Sequence, residues 1–433
     1  MIVEVKLYGE KLGAIEWNDS KGSSTFQYSD NAFFSELEPS PIMMPIQERT
    51  FETNRDHINF HNLPYLLSDS MPDDFGNIMM KEWLRQKHLS IDNINPVDRL
   101  TYIGKRGMGA LEYEPVNHKE NNYNVDVGEL FEVAKKVLEG KKEISYNDLD
   151  KDSLSDILRI GTSVGGARAK ALIAIKTDSH NKIEEIRPGD IIQPEGYSYW
   201  LLKIDGANEK SLGERKGKGK TEYAYYKLAK EAGIDISESI LYEENDRFHF
   251  LTKRFDRTNN GEKIHVQTLG ALAGIDYKIQ KASSYETLFR VMKRLRLPYY
   301  QLEQQYRRAL FNVIARNHDD HVKNFSFLMN KEGKWQISPA YDITFQYKTG
   351  GTWTNVHQSS INGKFDNFTR DDLLNFGKTF GIKKANHILE EVITAVNQWS
   401  KIATEIDIPK KEIEDISSNL RVNDLSGEGN IST

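Results

Sequence analysis

Cysteine is absent from all 433 residues. That absence excludes a disulfide framework, a thiolate zinc site, an iron–sulfur cluster and a cysteine nucleophile. Also missing is any apolar run near the roughly 18 residues that a membrane helix needs. The opening Met1-Ile2-Val3-Glu4-Val5-Lys6 has neither the charged start nor the apolar block of a secretory signal. A cytoplasmic address without membrane association is therefore the expectation. Positive charge is not in excess either: 58 Lys plus Arg stand against 64 Asp plus Glu, a formal charge of -6. No global attraction to nucleic acid follows, and any basic surface has to be local. What the chain does have is core material. With 38% apolar, 10% aromatic and 28% charged residues, it reads as a folded, water-soluble protein rather than a disordered one, long enough for two or three domains.

The hydrophobic period marks out the organisation. Val3, Val5 and Leu7 alternate with Glu4 and Lys6, the chain turns at Tyr8-Gly9 and resumes with Leu12 and Ile15, which predicts a hairpin with one buried face. Strand-like pieces at Ser24–Tyr28 and Asp98–Tyr113 bracket a Pro- and Asp-rich stretch from Leu63 to Asp73. Residues 1–118 are expected to form a small α+β unit. Polar residues from Pro115 to Asn124 mark a linker, and a helix fits Leu130–Leu138. Strand patterns at Ala171–Ile175, Tyr197–Ile204 and Arg247–Phe255 surround a helix over Glu222–Glu231 that turns Tyr223, Tyr226, Leu228 and Ala229 toward a core. The basic, glycine-interleaved run Gly213–Lys220 predicts a mobile loop. Beyond about residue 262 the period becomes helical. Ser283-x-x-Glu286 reads as a capping box opening a helix that stops before Pro298. Leu302, Tyr306, Leu310, Val313 and Ile314 share a face of the next helix, and Ile388, Val392, Val396 and Trp399 a face of a late one. Tyr299-Tyr300 reads as a turn, His265 as a structural strand residue, Trp17, Trp83 and Trp399 as packing residues, and 422–433 as a frayed tail.

One cluster carries chemistry. From Arg316 to Asn324 every position except Val322 is polar or ionisable, directly after a helix with a clear apolar face. Asp319 and Asn324 have four residues between them, the interval at which protein kinases place a catalytic Asp and a metal-binding Asn. Asp342 follows the strand-like Trp335–Ile337. Phosphoryl transfer needs an acceptor for the proton of the attacking hydroxyl and oxygen ligands for Mg²⁺ on the phosphates, and these three residues supply both. Upstream, Gly161 to Lys170 combines glycines, hydroxyls and cations ahead of an apolar strand, a composition that suits a phosphate cradle or a plain glycine-rich turn. Lys203 lies in the apolar Tyr199–Ile204, where its ammonium needs either an anionic partner or a route to water. Glycine loop, strand lysine, helix with Glu222, Asp-x-x-x-x-Asn and then Asp is the order of parts in a two-lobed kinase. Asn317-His318-Asp319 stands where His-Arg-Asp would, and Tyr341-Asp342-Ile343 where Asp-Phe-Gly would, so any kinase here is a divergent one.

The string Asn317-His318-Asp319-Asp320-His321-Val322-Lys323-Asn324-Phe325-Ser326 resembles the N-x-D-x-H-x-K-N-F-S signature of the HipA family, bacterial serine/threonine kinases that are the toxins of HipBA-type toxin–antitoxin pairs. Leu63-Pro64 to Phe75-Gly76 and Ile103–Tyr113 look like the family's N-terminal subdomain, and Arg254-Phe255-Asp256-Arg257 matches a further piece. The resemblance implies an α+β, two-lobed, kinase-like fold. Its parts would be an N-terminal subdomain over 1–118, the rest of the N-lobe over 125–258, a helical C-lobe over 262–421 and a tail over 422–433. It implies ATP and Mg²⁺, with Asp319 as the catalytic Asp, Asn324 and Asp342 as metal ligands and Lys203 on the phosphates. The nucleotide set would further include Ser163, Val164, Gly165, Gly166, Ala167, Arg168, Ala169 and Lys170 of the loop, Lys253 and Phe255 of a hinge, Gln267 nearby, His321 and Tyr341. Ser163 would be the autophosphorylated serine that switches the kinase off, and a HipB-type helix-turn-helix antitoxin the partner through which DNA is reached. The substrate would be a protein, with an aminoacyl-tRNA synthetase among the family's targets. Growth arrest would be the outcome.

Two other readings fit some of the residues. His318 and His321 with Asp319 could hold a divalent metal for phosphoester hydrolysis. Alternatively the chain could serve without catalysis as an antitoxin-binding co-repressor, in which case intact Asp319, Asn324, Asp342 and Lys203 would have no task.

Overall fold

A computed structural model describes residues 1–72, 74–116, 124–138, 168–206 and 217–426. It contains two compact units: Met1–Gly219 with Ile240–Gln267 and Leu328–Lys334, and Lys220–Ser239 with Thr268–Phe327 and Trp335–Thr433.

The first unit begins with the expected hairpin. Strands β1 (Ile2–Leu7) and β2 (Glu10–Asn18) pair antiparallel, and Tyr8 and Gly9 turn with φ of 55° and 86°, the positive values that match a two-residue turn to strand twist. With β3 (Ser23–Tyr28), β4 (Phe51–Glu52) and β5 (Leu111–Glu114) they form a sheet in the order β4-β3-β2-β1-β5. Val3, Val5 and Leu7 are buried on its inner face. The stretch Asp98–Tyr113 is not a strand throughout: Pro96–Ile103 is a helix and only Leu111–Glu114 is extended. Local capping decides this. The Asn95 side chain accepts the Asp98 N–H, Pro96 sits in the first turn, Val97, Leu100 and Thr101 bury one face, and Gly104 ends the helix with φ 58°. The helix Val127–Leu138 contains the expected Leu130–Leu138. Linker residues 117–123 and the run 139–167 lie outside the described residues.

A second sheet in this unit runs β7-β6-β8-β10-β9, built from β6 (Lys170–Thr177), β7 (Ile183–Pro188), β8 (Tyr197–Lys203), β9 (Ser239–Glu244) and β10 (Arg247–Lys253). The apolar β6, β8 and β10 are central, while the charged β7 and β9 are the edges, where charge is tolerated and protects against further pairing. A buried ion cluster ties this sheet to the N-terminal segment. Asp256 accepts both Nε and an NH2 of Arg254 (2.9 and 2.8 Å), Arg257 (2.7 Å) and the Gly109 N–H (2.8 Å). Arg257 in turn donates to the carbonyls of Gly107 and Gly109, each at 3.1 Å. Gly217 donates to the Asp205 carboxylate and Lys218–Glu231 is helical, so the basic run expected to be mobile through Lys220 is ordered from Gly217 on, with 207–216 outside the described residues.

The second unit is mainly helical. In Lys218–Glu231 it is Ala224, Tyr225, Leu228 and Ala229 that are buried, and Tyr225 donates to the Ala315 carbonyl (2.7 Å). Tyr223 and Tyr226 stack on each other at 5.8 Å and stay half-buried, a rotation of the expected face. The helix Tyr285–Arg294 is capped by Ser284, whose Oγ accepts the Thr287 N–H, and Glu286 instead accepts Asn362 N–H. The start is one residue later than the capping-box pattern places it, so Glu286 misses the position from which it could close the box. A reciprocal box does exist at Thr369 and Asp372, opening Arg370–Thr379. Tyr299-Tyr300 are the first residues of the helix Tyr299–Ile314 rather than a turn. The late helix divides at Asn397-Gln398 into Ala385–Val396 and Trp399–Glu405. Val422–Leu425 is a short helix with Leu425 fully buried, so fraying does not begin at Val422; 427–433 lie outside the described residues.

Candidate active site

The helix Tyr299–Ile314 delivers the polar string Asn317–Ser326. It ends at Ala315, and Arg316 reverses the chain with φ 57°. Backbone bonds from Gln346 N–H to Arg316 O (3.0 Å) and from His318 N–H to Gln346 O (3.1 Å) then hold the string against the segment after Asp342. Asp319 is partly exposed, with its carboxylate 3.7 Å from His321 Nε2. Asn324, at the end of the short helical turn Val322–Asn324, donates its amide to the Asp319 carbonyl at 2.7 Å. Asp342 adopts φ 53°, an unusual conformation for a residue with a side chain. Arg308, Asn317, Asp320, Asn324, Tyr341 and Asp342 line one recess that encloses about 300 Å³ of open space.

Asn324, Asp342 and Tyr341 thus come together, and Asp319 joins them through the Asn324 bond. The Tyr341 hydroxyl is engaged by the Lys323 carbonyl and Ser326 Oγ, both at 2.6 Å, so it fastens the C-terminal end of the string. His321 is placed elsewhere. It borders a separate recess of about 190 Å³ with Ile275, Tyr277, Val322 and Gln358, its ring 5.7 Å from Tyr277, and its Nδ1 accepts the Lys323 N–H. His318 is wholly buried, 4.0 Å from the His357 ring and 5.0 Å from Tyr347. Burial, with His357 and Arg316 nearby, lowers its pKa to about 2, so it is neutral at any ordinary pH. Among the described residues no three His, Cys, Asp or Glu side chains are grouped to hold a metal, and the two histidines expected to share one have separate tasks.

The oxygen-ligand set fits Mg²⁺ better. The Asn324 amide nitrogen is committed to Asp319, which leaves its carbonyl oxygen as the remaining function, beside the carboxylate of Asp342. In the same recess Asn317 Oδ1 is buried with no hydrogen-bond partner. Hard oxygen donors around a recess are what this cation requires.

The nucleotide candidates lie in the first unit. Lys203 and Lys170 face each other across β8 and β6, both only 4% exposed, with the Lys203 ammonium 5.7 Å from the Phe250 ring. Both lysines therefore stand at the same end of the sheet. Ala169 accepts the Ile204 N–H (2.8 Å) and Arg168 is half-buried. Lys253 ends β10 opposite Trp200, and Phe255 follows it, half-buried. Gln267, expected near the adenine, is fully enclosed and donates to Ser40 Oγ at 3.0 Å. Ser163, Val164, Gly165, Gly166 and Ala167 lie outside the described residues.

Comparison with known proteins identifies the family and the fold. The profile of the HipA-like C-terminal domain matches residues 162–400, more than half of the chain. The chain belongs to the HipA family. The profile of the HipA N-terminal domain matches residues 3–114. A curated relative from Haemophilus influenzae, described as a putative kinase, is 21% identical over 296 residues, 60% of this chain and 80% of that one. The serine/threonine-protein kinase toxin HipA of Shewanella oneidensis is 28% identical over 142 residues, 28% of this chain and 33% of its own. Among solved structures, the complex of HipA, HipB and operator DNA from Shewanella oneidensis MR-1 contains a chain that aligns with a TM-score of 0.67 and 17% identity, covering 96% of this chain and 94% of that one. The fold is therefore the α+β, kinase-like fold of HipA.

Several residues of this recess escaped the sequence pattern. Asp320 was visible only as a neighbour of Asp319, yet it is buried and accepts hydrogen bonds from Tyr285, His357, Gln358 and Ser359. Arg308, buried and pushed down to about 10 by that burial, borders the same recess and donates to the Ser338 carbonyl (2.7 Å). Arg308 and Asn312 stand among Ala309, Leu310, Phe311, Val313 and Ile314 in the last part of Tyr299–Ile314, and polar residues in that otherwise apolar stretch are the one signal that pointed to them.

Proposed function

We propose that the chain is a toxin-type protein kinase that transfers the γ-phosphoryl group of ATP to a serine or threonine hydroxyl of a protein. The observation that carries this reading is the 2.7 Å bond from the Asn324 amide to the Asp319 carbonyl beside the left-handed Asp342, which couples the proposed base to the proposed metal ligands. Asp319 accepts the proton of the attacking hydroxyl as its oxygen bonds to the γ-phosphorus, the β–γ bridging bond breaks, and ADP leaves with that bond's electrons. Asn324 and Asp342 would hold Mg²⁺, which when bound neutralises charge on the phosphate oxygens. Lys170 and Lys203 attract the phosphates, and the backbone after β10, Lys253 to Phe255, receives the adenine. A phosphate on Ser163 would add nearly two negative charges to the glycine-rich loop and so compete with ATP for the same N–H groups. The kinase names of the relatives and the solved assembly of HipA with HipB and operator DNA support a HipB-type antitoxin as partner, with DNA reached through it. No helix among the described residues is long and apolar enough to cross a membrane. A cytoplasmic site of action is part of the same proposal.

Calorimetric titration with ATP tests the reading. Binding should weaken about tenfold or more when Mg²⁺ is chelated or Asp342 is changed to Asn. Lys203→Met should weaken it about 10–100-fold, the worth of an ionic hydrogen bond to phosphate. Wild-type protein that binds no Mg-ATP would leave the co-repressor role instead, and phosphoester cleavage without ATP would restore the hydrolase.

A further inference from the structure

We infer that Asp320 is a positioning residue: it pins the peptide between Asp319 and Asp320 so that the Asp319 carboxylate is presented in one fixed direction. The inference rests on the kinase reading of Asp319. A buried carboxylate is costly unless its oxygens are satisfied, and here one oxygen accepts the Tyr285 hydroxyl (2.9 Å) and His357 Nδ1–H (2.8 Å) while the other accepts the backbone N–H groups of Gln358 (2.7 Å) and Ser359 (3.3 Å). The residue's own carbonyl accepts Ser359 Oγ at 2.7 Å. On the Asp319 side the carbonyl is held by Asn324. The peptide is therefore held at its Asp319 carbonyl, and the residue that follows it is fixed through both its carboxylate and its own carbonyl.

The polar chain also closes on itself. Tyr285 accepts from Asn312 Nδ2 (2.9 Å), and Asn312 Oδ1 accepts from Asn317 Nδ2 (3.0 Å), three residues before Asp320. One carboxylate thus joins the string, the helix Tyr285–Arg294 and the segment 357–359, where Ser359 and Ser360 pair in parallel with Ser283 and Ser284 at the foot of that helix. Gln358, held by Asp320, forms a wall of the recess beside His321 and Val322. Both oxygens of the Asp320 carboxylate are satisfied, and a buried carboxylate so held favours one geometry, the condition for a precisely aimed base.

The test uses the full chain with Asp320→Ala, Asp320→Asn and Ser359→Ala. Steady-state Mg-ATP turnover should show kcat reduced about 10–100-fold in Asp320→Ala, with KM for ATP changed less than about twofold. Asp320→Asn, which keeps one acceptor oxygen for Gln358 and Ser359, should recover part of the loss. Hydrogen exchange should accelerate at 318–321 and 356–360 in Asp320→Ala and not along 299–314. A kcat equal to wild type, with exchange accelerated or not, overturns the inference and leaves the kinase reading standing. Wild-type protein without ATP turnover overturns both.

Discussion

Asp319→Asn should lower phosphoryl transfer by about 10²–10⁴-fold, the contribution of a positioned general base, while leaving Mg-ATP binding and thermal stability close to wild type. The side chain is partly exposed, its carboxylate lies 3.7 Å from His321 Nε2, and Asn keeps its shape, so little packing is lost with the charge. The backbone carbonyl that Asn324 uses is unaffected by the exchange. Rates from rapid-quench assays with radiolabelled ATP, set beside Tm by calorimetry, check both halves. A fold-wide loss of stability in this variant would mean that Asp319 is structural.

A second large effect should appear far from the string, at Asp256. Burial alone would raise its carboxyl pKa, but Arg254 and Arg257 more than offset that and hold it well below the usual carboxylate range. The folded state therefore prefers the ionised form. The linked stability is fully present above the pKa of an unfolded Asp and is lost only as pH falls through the lowered folded value, in strong acid. Asp256→Ala leaves two arginines buried without their shared anion, and removing one partner of such a group costs about 3–5 kcal/mol. Because Arg257 also caps the carbonyls of Gly107 and Gly109, the loss should loosen the N-terminal segment from the sheet that carries Lys203. Urea unfolding at neutral pH would measure it, and a change below about 1 kcal/mol would show that the cluster is better hydrated than its burial implies.

What could be read from the chain depended on whether the relevant contacts are local. Asp319 and Asn324 were legible as candidates because they share one short string, and Asp342 because it follows the strand-like Trp335–Ile337. The role of Asp320 was not, because Tyr285, His357 and Ser359 stand 35, 37 and 39 residues away from it and only the fold brings them near. Lys203 could be recognised as a charge in an apolar strand, whereas its opposition to Lys170 is a matter of register. The edge strands β7 and β9 lacked an apolar signature, since Glu184, Glu185, Glu243 and Glu244 occupy them. At Asn95 and Ser284 the decisive features were single hydrogen-bonded caps, which overrode the broader patterns around them. The bond from the Gln267 amide nitrogen to Ser40, more than 200 residues earlier in the chain, had no signal in the sequence.

The most direct measurement is intact-mass spectrometry of the wild-type protein and Asp319→Asn after incubation with Mg-ATP. The account predicts that wild type gains a phosphoryl group, that fragmentation places it on Ser163, and that Asp319→Asn gains none. A gain of equal size in Asp319→Asn would contradict the assignment of Asp319 as the residue that activates the attacking hydroxyl.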